Sequence, residues 1–157
     1  MRKESLDAIV DKDTRVLILG SLPGDESIRR QQYYAKPSND FWKLISAAVG
    51  EDMTPLCYED KVQKLRQYGI GLWDVLKSSK REGSSDSRIQ DEEPNDFSDL
   101  MEQAPNLRLI CFNGKKAGQY EPLFKHMGIE TRVLPSSSGA NRRYSEKRLS
   151  EWKSIMP

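Results

Sequence analysis

Histidine and cysteine are nearly missing from this 157-residue chain, which has one of the first, His126, and two of the second, Cys57 and Cys111. No CxxC spacing occurs, so a disulfide framework and a thiolate zinc site are excluded. A protein metal site would have to rest on carboxylates alone. Ser-His-Asp chemistry would have to use His126, which sits late in a helix-period segment just before Gly128, where an imidazole meets the negative end of the helix dipole. Neither GxGxxG nor GxxxxGK[ST] is present, which removes the familiar phosphate cradles. Long apolar runs are missing too. The longest, such as residues 16–19, fall far short of the roughly 20 needed to cross a bilayer, and no apolar segment follows Met1. The expectation is a soluble, cytoplasmic protein with no membrane partner and no cofactor.

The length fits one domain, residues 1–157, and a monomer is expected. Charge is abundant but balanced, with 25 Lys plus Arg against 24 Asp plus Glu and a formal net charge of +1. That balance conceals unlike regions. Residues 29–43 carry Arg29, Arg30, Lys36 and Lys43 against Asp40, for +3, and residues 141–153 also sum to +3 through Arg142, Arg143, Lys147, Arg148 and Lys153 against Glu146 and Glu151. Residues 86–102 sum to −6, with Arg88 the only cation. Solvated surface charge is one reading of these clusters. A basic binding face, with the acidic segment turned away from it, is the other.

Residues 15–20 form a short apolar run ending in glycine, the pattern of a strand buried on both faces. Runs at 69–76, 107–112 and 131–134 repeat the pattern. Helix-period segments lie between them at 39–49, 59–67, 96–103, 115–127 and 144–155. Alternation of this kind predicts an α/β protein, a three-layer α/β/α sandwich around a roughly four-stranded parallel sheet. Ser38 or Asn39 can cap the helix at 39–49. Residues 77–93 show no periodicity and are long for a loop, which marks them as functional or mobile.

Ligands of open parallel sheets bind outside the carboxyl ends of the strands. This selects residues 20–39, 113–116 and 135–143, all rich in small or amide residues. There the sequence becomes recognisable. Gly20-Ser21-Leu22-Pro23-Gly24, followed by Tyr33-Tyr34-Ala35-Lys36-Pro37-Ser38-Asn39-Asp40-Phe41-Trp42, resembles the first motif of the uracil-DNA glycosylase superfamily. Leu134-Pro135-Ser136-Ser137-Ser138-Gly139-Ala140-Asn141 is similar to its second motif. Leu22 stands where the mismatch-specific uracil branch has asparagine, so the resemblance is nearest to the hypoxanthine (deoxyinosine) branch. Trp73-Asp74-Val75-Leu76, Glu93-Pro94-Asn95-Asp96-Phe97 and Leu149-Ser150-Glu151-Trp152 extend it over nearly the whole chain.

The resemblance implies a monofunctional glycosylase that flips a deaminated base out of DNA, hypoxanthine first and uracil second, and leaves an abasic site. Gly20, Ser21, Leu22 and Pro23 would line the base pocket. Tyr34 would stack on the base and Asn113 would read its edge, a carboxamide accepting from N–H and donating to the neighbouring carbonyl. Asn39 matches the residue proposed as catalytic; its amide is no Brønsted base and can only orient and polarise water. Ser136, Ser137, Ser138 and Asn141 would hold DNA, and by position alone Lys115, beyond Asn113, and Arg142, directly after the serine loop, add cations for phosphate contact. Structural readings stand beside these: Tyr34 as a core tyrosine, Asn113-Gly114 as a turn, Asn39 as a helix cap, and the serines as a polar loop. A non-enzymatic nucleotide- or protein-binding α/β module is the alternative function. Two departures stand out. Asp40 replaces a frequent arginine, which would weaken a phosphate contact, and Gly139 replaces a frequent proline, which would loosen the loop.

Overall fold

The computed structural model describes residues 2–141 and 145–156. Four parallel strands form the central sheet: β2 (Val16–Gly20), β3 (Ile70–Asp74), β6 (Leu109–Asn113) and β7 (Glu130–Leu134), in the spatial order β3-β2-β6-β7. The two inner strands, β2 and β6, are buried along their whole length. Their continuous apolar runs follow from cover on both faces. Side chains alternate across the sheet, as a period of two requires. Val16, Ile18, Leu109 and Cys111 face a core with Phe41, Ile45, Leu65 and Trp152. Leu17, Leu19, Ile110 and Phe112 face another with Phe97, Leu100 and Phe124. The first core is filled by helices α2 (Phe41–Val49), α3 (Tyr58–Gln67) and α6 (Ser145–Lys153); the short helix α1 (Asp25–Arg30) follows β2. The second is closed by α4 (Leu100–Gln103), α5 (Lys115–Gly118) and a 3-10 segment, Glu121–Met127. The three-layer α/β/α sandwich is therefore the architecture.

Two expected helices are shorter than their periodicity. Residues 115–127 do not run as one α-helix, because Pro122 in its interior would clash with the carbonyl of Gly118 and lacks the N–H to continue the ladder. Residues 96–99 form a turn instead of a first helical turn, with the Ser98 N–H donating to Asp96 Oδ1 at 2.9 Å.

The larger difference concerns residues 77–93. They are not an irregular loop. The chain leaves the main sheet at Val75 and enters a second, antiparallel sheet of order β1-β4-β5, built from β1 (Arg2–Glu4), β4 (Leu76–Lys80) and β5 (Gln90–Pro94). Its register shifts at two places between Leu76 and Lys80, and β5 is exposed throughout. An irregular, solvent-facing ladder gives no clean alternation to read.

The order of connections sets the location of the site. The chain passes from β2 to β3 on one side and from β6 to β7 on the other, so the crevice opens at the carboxyl ends of β2 and β6.

Candidate active site

Four strand ends and one loop meet at that crevice. The turn after β2 is fixed by main-chain bonds, with the Val75 N–H donating to the Gly20 carbonyl (2.7 Å) and the Leu76 N–H to the Ser21 carbonyl (3.1 Å). Ser21, Leu22 and Pro23 are buried. The second sheet fastens this turn. The buried Arg81 guanidinium donates to the carbonyls of Leu22 and Pro23, Ser21 Oγ donates to Asp86 Oδ1 at 2.6 Å, and the Asp25 N–H donates to Ser84 Oγ at 2.9 Å. Burial holds the Arg81 pKa below its ordinary value, with Asp86, Asp25 and Asp74 opposing the shift. The stretch without periodicity is thus the clamp on the first motif.

A chain of side-chain hydrogen bonds crosses the crevice. Asn113, at the end of β6, donates from Nδ2 to Tyr34 Oη (3.1 Å) and to Ser137 Oγ (2.9 Å), and its Oδ1 accepts the Ser137 N–H (2.9 Å). Ser137 Oγ in turn donates to Asn39 Oδ1 at 2.8 Å. The same Oδ1 accepts the Phe41 N–H at 2.9 Å, so Asn39 also supports the first residue of α2. Both acceptor positions of the Asn39 oxygen are occupied in this arrangement. The orientation of both amides follows from the backbone N–H groups that they accept.

Tyr34 lies in the left-handed region at φ +55°, a conformation that costs a non-glycine residue roughly 1–3 kcal/mol and gathers at functional sites. Its ring is parallel to that of Phe41 with centroids 4.0 Å apart. Burial raises the pKa of its phenol above the ordinary value, and Asp74 raises it further.

The three serines are not equivalent. Ser137 is 1% exposed and its hydroxyl is shared between the two asparagines, while Ser136 and Ser138 are partly exposed. Asn141 folds back, donating from Nδ2 to the Ser136 carbonyl at 3.0 Å. Gly114, at φ +97°, leaves room for Ser136, whose Cβ would lie 3.2 Å from a Cβ at Gly114. Lys115 is exposed, whereas Lys116 is paired with Glu92 of β5. Arg142 lies outside the described residues, as does Arg143.

Two departures from the family pattern have structural reasons that the sequence does not reveal. Asp40 is not a surface residue with a phosphate role. It is buried and accepts Arg148 Nη2 at 2.6 Å. Arg148 Nη1 donates to the carbonyls of Ser136 and Ser138, each at 3.2 Å, and Trp152 Nε1 donates to the Pro135 carbonyl at 2.8 Å. Helix α6 therefore grips the serine loop. Gly139 does not loosen that loop, because its backbone packs against Ser38 so closely that a Cβ would lie 2.3 Å from the Ser38 carbonyl oxygen.

The acidic segment does not turn away from this face. Asp86 touches Ser21 and Glu92 touches Lys116 at the same sheet edge. The basic sums also overstate the free charge, since Arg29 and Arg30 both pair with Glu26 and Arg148 is internal. Asp74, Arg81, Asp86 and Arg148 are the residues that sequence reasoning left without roles. Asp74 had a signal, as a lone acid inside the apolar run at 69–76. Among the described residues no group of three or more His, Cys, Asp or Glu is placed to hold a metal ion, and no helix is long and apolar enough to cross a membrane.

Known proteins share this frame. The family model described as Uracil DNA glycosylase superfamily matches residues 8–156. A hypoxanthine DNA glycosylase of Methanosarcina acetivorans is 60% identical over 155 residues, covering 99% of this chain and 98% of its own. Another of that name, from Methanosarcina barkeri, is 53% identical over 152 residues, covering 97% and 96%. A solution NMR structure of a Methanosarcina acetivorans protein, described as a candidate uracil DNA glycosylase, superposes with a TM-score of 0.91 at 60% identity, covering 99% of this chain and 96% of its own. With its fold, its motifs in order and these relatives, the chain belongs to the uracil DNA glycosylase superfamily.

Proposed function

We propose that this chain is a DNA glycosylase that hydrolyses the N-glycosidic bond of a flipped deaminated base, hypoxanthine first and uracil second, and leaves an abasic site. It acts as a single domain and a monomer, inside the cell where the DNA is, and uses no cofactor. The observation that carries the reading is the hydrogen-bonded chain Tyr34–Asn113–Ser137–Asn39 across the strand-end crevice.

Each part has a task. The extruded base stacks on the face of Tyr34 turned away from Phe41, and such stacking offsets roughly 1–3 kcal/mol of an extrusion cost of a few. Asn113 reads the base edge, held in one orientation by the Ser137 N–H; Tyr34 Oη or Ser137 Oγ then yields an amide proton to the base carbonyl. Asn39 positions water at C1′. Its oxygen becomes free to accept from water when the Ser137 hydroxyl turns away, so base binding at Asn113 and water binding at Asn39 are linked through one serine. Breakage of the C1′–N bond ahead of attack gives an oxocarbenium-like sugar, for which positioning and electrostatics suffice. Ser136, Ser138 and Lys115 contact phosphates, with Arg142 next in the chain.

The test is incubation with duplexes bearing one inosine, uracil or xanthine, followed by alkali. Strand cleavage at inosine, and less at uracil, is expected. No abasic site in any duplex at high protein concentration would sink the reading.

A further inference from the structure

Asp74 ends β3 directly opposite Gly20 in the parallel register. The residue is 3% exposed, and its Oδ2 has no hydrogen-bond partner among the described residues. A buried carboxylate oxygen without a donor is costly, so an orphan of this kind calls for a reason. The surroundings give one. A Cβ at Gly20 would lie 2.7 Å from Asp74 Oδ1 and 3.3 Å from Tyr34 Oη. The carboxyl and the phenol that accepts from Asn113 therefore both press against Gly20, where any side chain would collide with them, and this sets Asp74 beside the ring assigned to the base.

Among the described residues, few charged and titratable groups face Asp74. Asp86, on the 3-10 turn that also holds Ser21, repels a second negative charge; Arg81 favours one, and the phenols of Tyr33 and Tyr34 lie on the remaining side. Burial is the largest influence and Asp86 the next, and together they push the carboxyl up to about 7. A neutral carboxyl is a donor. A buried acid kept protonated near neutral pH is a known way to stabilise developing negative charge.

We propose that Asp74 is a further catalytic residue of the glycosylase reaction, its protonated carboxyl donating a hydrogen bond from Oδ2 to a ring-nitrogen or carbonyl acceptor of the flipped purine. This rests on the glycosylase reading. When the C1′–N9 bond breaks, both electrons stay with the base, and the hydrogen bond strengthens as that charge grows. Asp74 keeps its proton throughout. Water bonds to C1′ and gives its proton to solvent, and the released base takes one from solvent.

The experiment is single-turnover release of hypoxanthine from an inosine duplex between pH 5.5 and 9, with the whole chain as wild type, Asp74→Asn and Asp74→Ala. The wild-type rate is expected to fall above about pH 7 as the donor ionises. Asp74→Asn keeps an N–H donor at every pH, so its rate stays within about tenfold of the wild-type plateau and its profile is flat. Asp74→Ala loses about 10²-fold at every pH. A wild-type profile that is flat to pH 9, an Asp74→Asn profile that follows the wild type, or full activity in Asp74→Ala each overturns the proposal. Should Asp74→Ala fail to fold, the Asp74→Asn profile decides alone. Wild type that releases no base at any pH defeats the glycosylase reading itself, a different result from release that ignores Asp74.

Discussion

Arg148 Nη2 donates to Asp40 Oδ2 across 2.6 Å with both side chains buried, joining α6 to the start of α2 and, through the Ser136 and Ser138 carbonyls, to the serine loop. One guanidinium thus holds both halves of the site in place. Removing one partner of a buried pair costs about 3–5 kcal/mol. Arg148→Ala is expected to lower Tm by roughly 6–20 °C at this chain length, read by circular dichroism at pH 7. A drop under about 2 °C, the shift of a surface pair worth up to ~1 kcal/mol, would show the pair to be no stronger than that.

Ser137 links the two asparagines and does not face solvent. Ser137→Ala is expected to cut single-turnover base release at least tenfold while leaving DNA affinity within about twofold, at a stability cost of about 1–3 kcal/mol. Affinity loss equal to the rate loss, measured by fluorescence anisotropy, would return Ser137 to phosphate binding.

Asn39→Ala should lose about 10²-fold or more in single-turnover rate with lesion binding retained. An unchanged rate would leave Asn39 as the support of α2 that its bond to Phe41 already makes it. Asn113→Ala should change the ratio of hypoxanthine to uracil release. Equal losses on both bases would argue against edge reading.

Adjacent lysines should behave differently. Lys115 is exposed and Lys116 is paired with Glu92. Lys115→Ala is expected to weaken binding to damaged and undamaged duplexes alike and to reduce the log–log salt slope by about one. Lys116→Ala should change that slope much less. Equal slopes in the two variants would mean that the Glu92 pair opens on DNA.

Asp74 also makes a stability prediction with a definite sign. Its folded pKa of about 7 lies above the ordinary 3.8, so between about pH 4 and pH 7 the unfolded chain releases the proton that the folded chain keeps. Its contribution is most favourable below that window and is lost as pH rises through it. Asp74→Asn removes the penalty, and its stability advantage over wild type should grow from pH 4 to pH 8 and then level off, reaching on the order of a few kcal/mol. A constant difference, measured by thermal melts across that range, would show the carboxyl to be ionised at little cost.

Much of the frame is legible in the chain. The runs at 15–20 and 107–112 are apolar because β2 and β6 are covered on both faces, and burial on two sides leaves a local signature. The strand-end rule then points to Asn113 and the serines, and the amide at 39 follows because it stands just before the helix that begins at Phe41. Residues 77–93 carry no such signature. Their sheet is exposed and irregular, and their task is to hold Leu22 and Pro23 through Arg81, a contact made 58 and 59 residues away.

Local pattern by itself determined the layers, the strand order's raw material and the residue types at the strand ends, because period and turn chemistry are properties of neighbours. Tertiary structure alone decided their partners. Ser137 and Asn39 stand 98 residues apart, and Arg148 and Asp40 stand 108 apart. Charge that sums to a basic patch along the chain is partly spent on Glu26 and Asp40 once folded. A carboxyl such as Asp74 acquires its character only where burial and a second acid surround it, and no spacing along the sequence encodes that meeting.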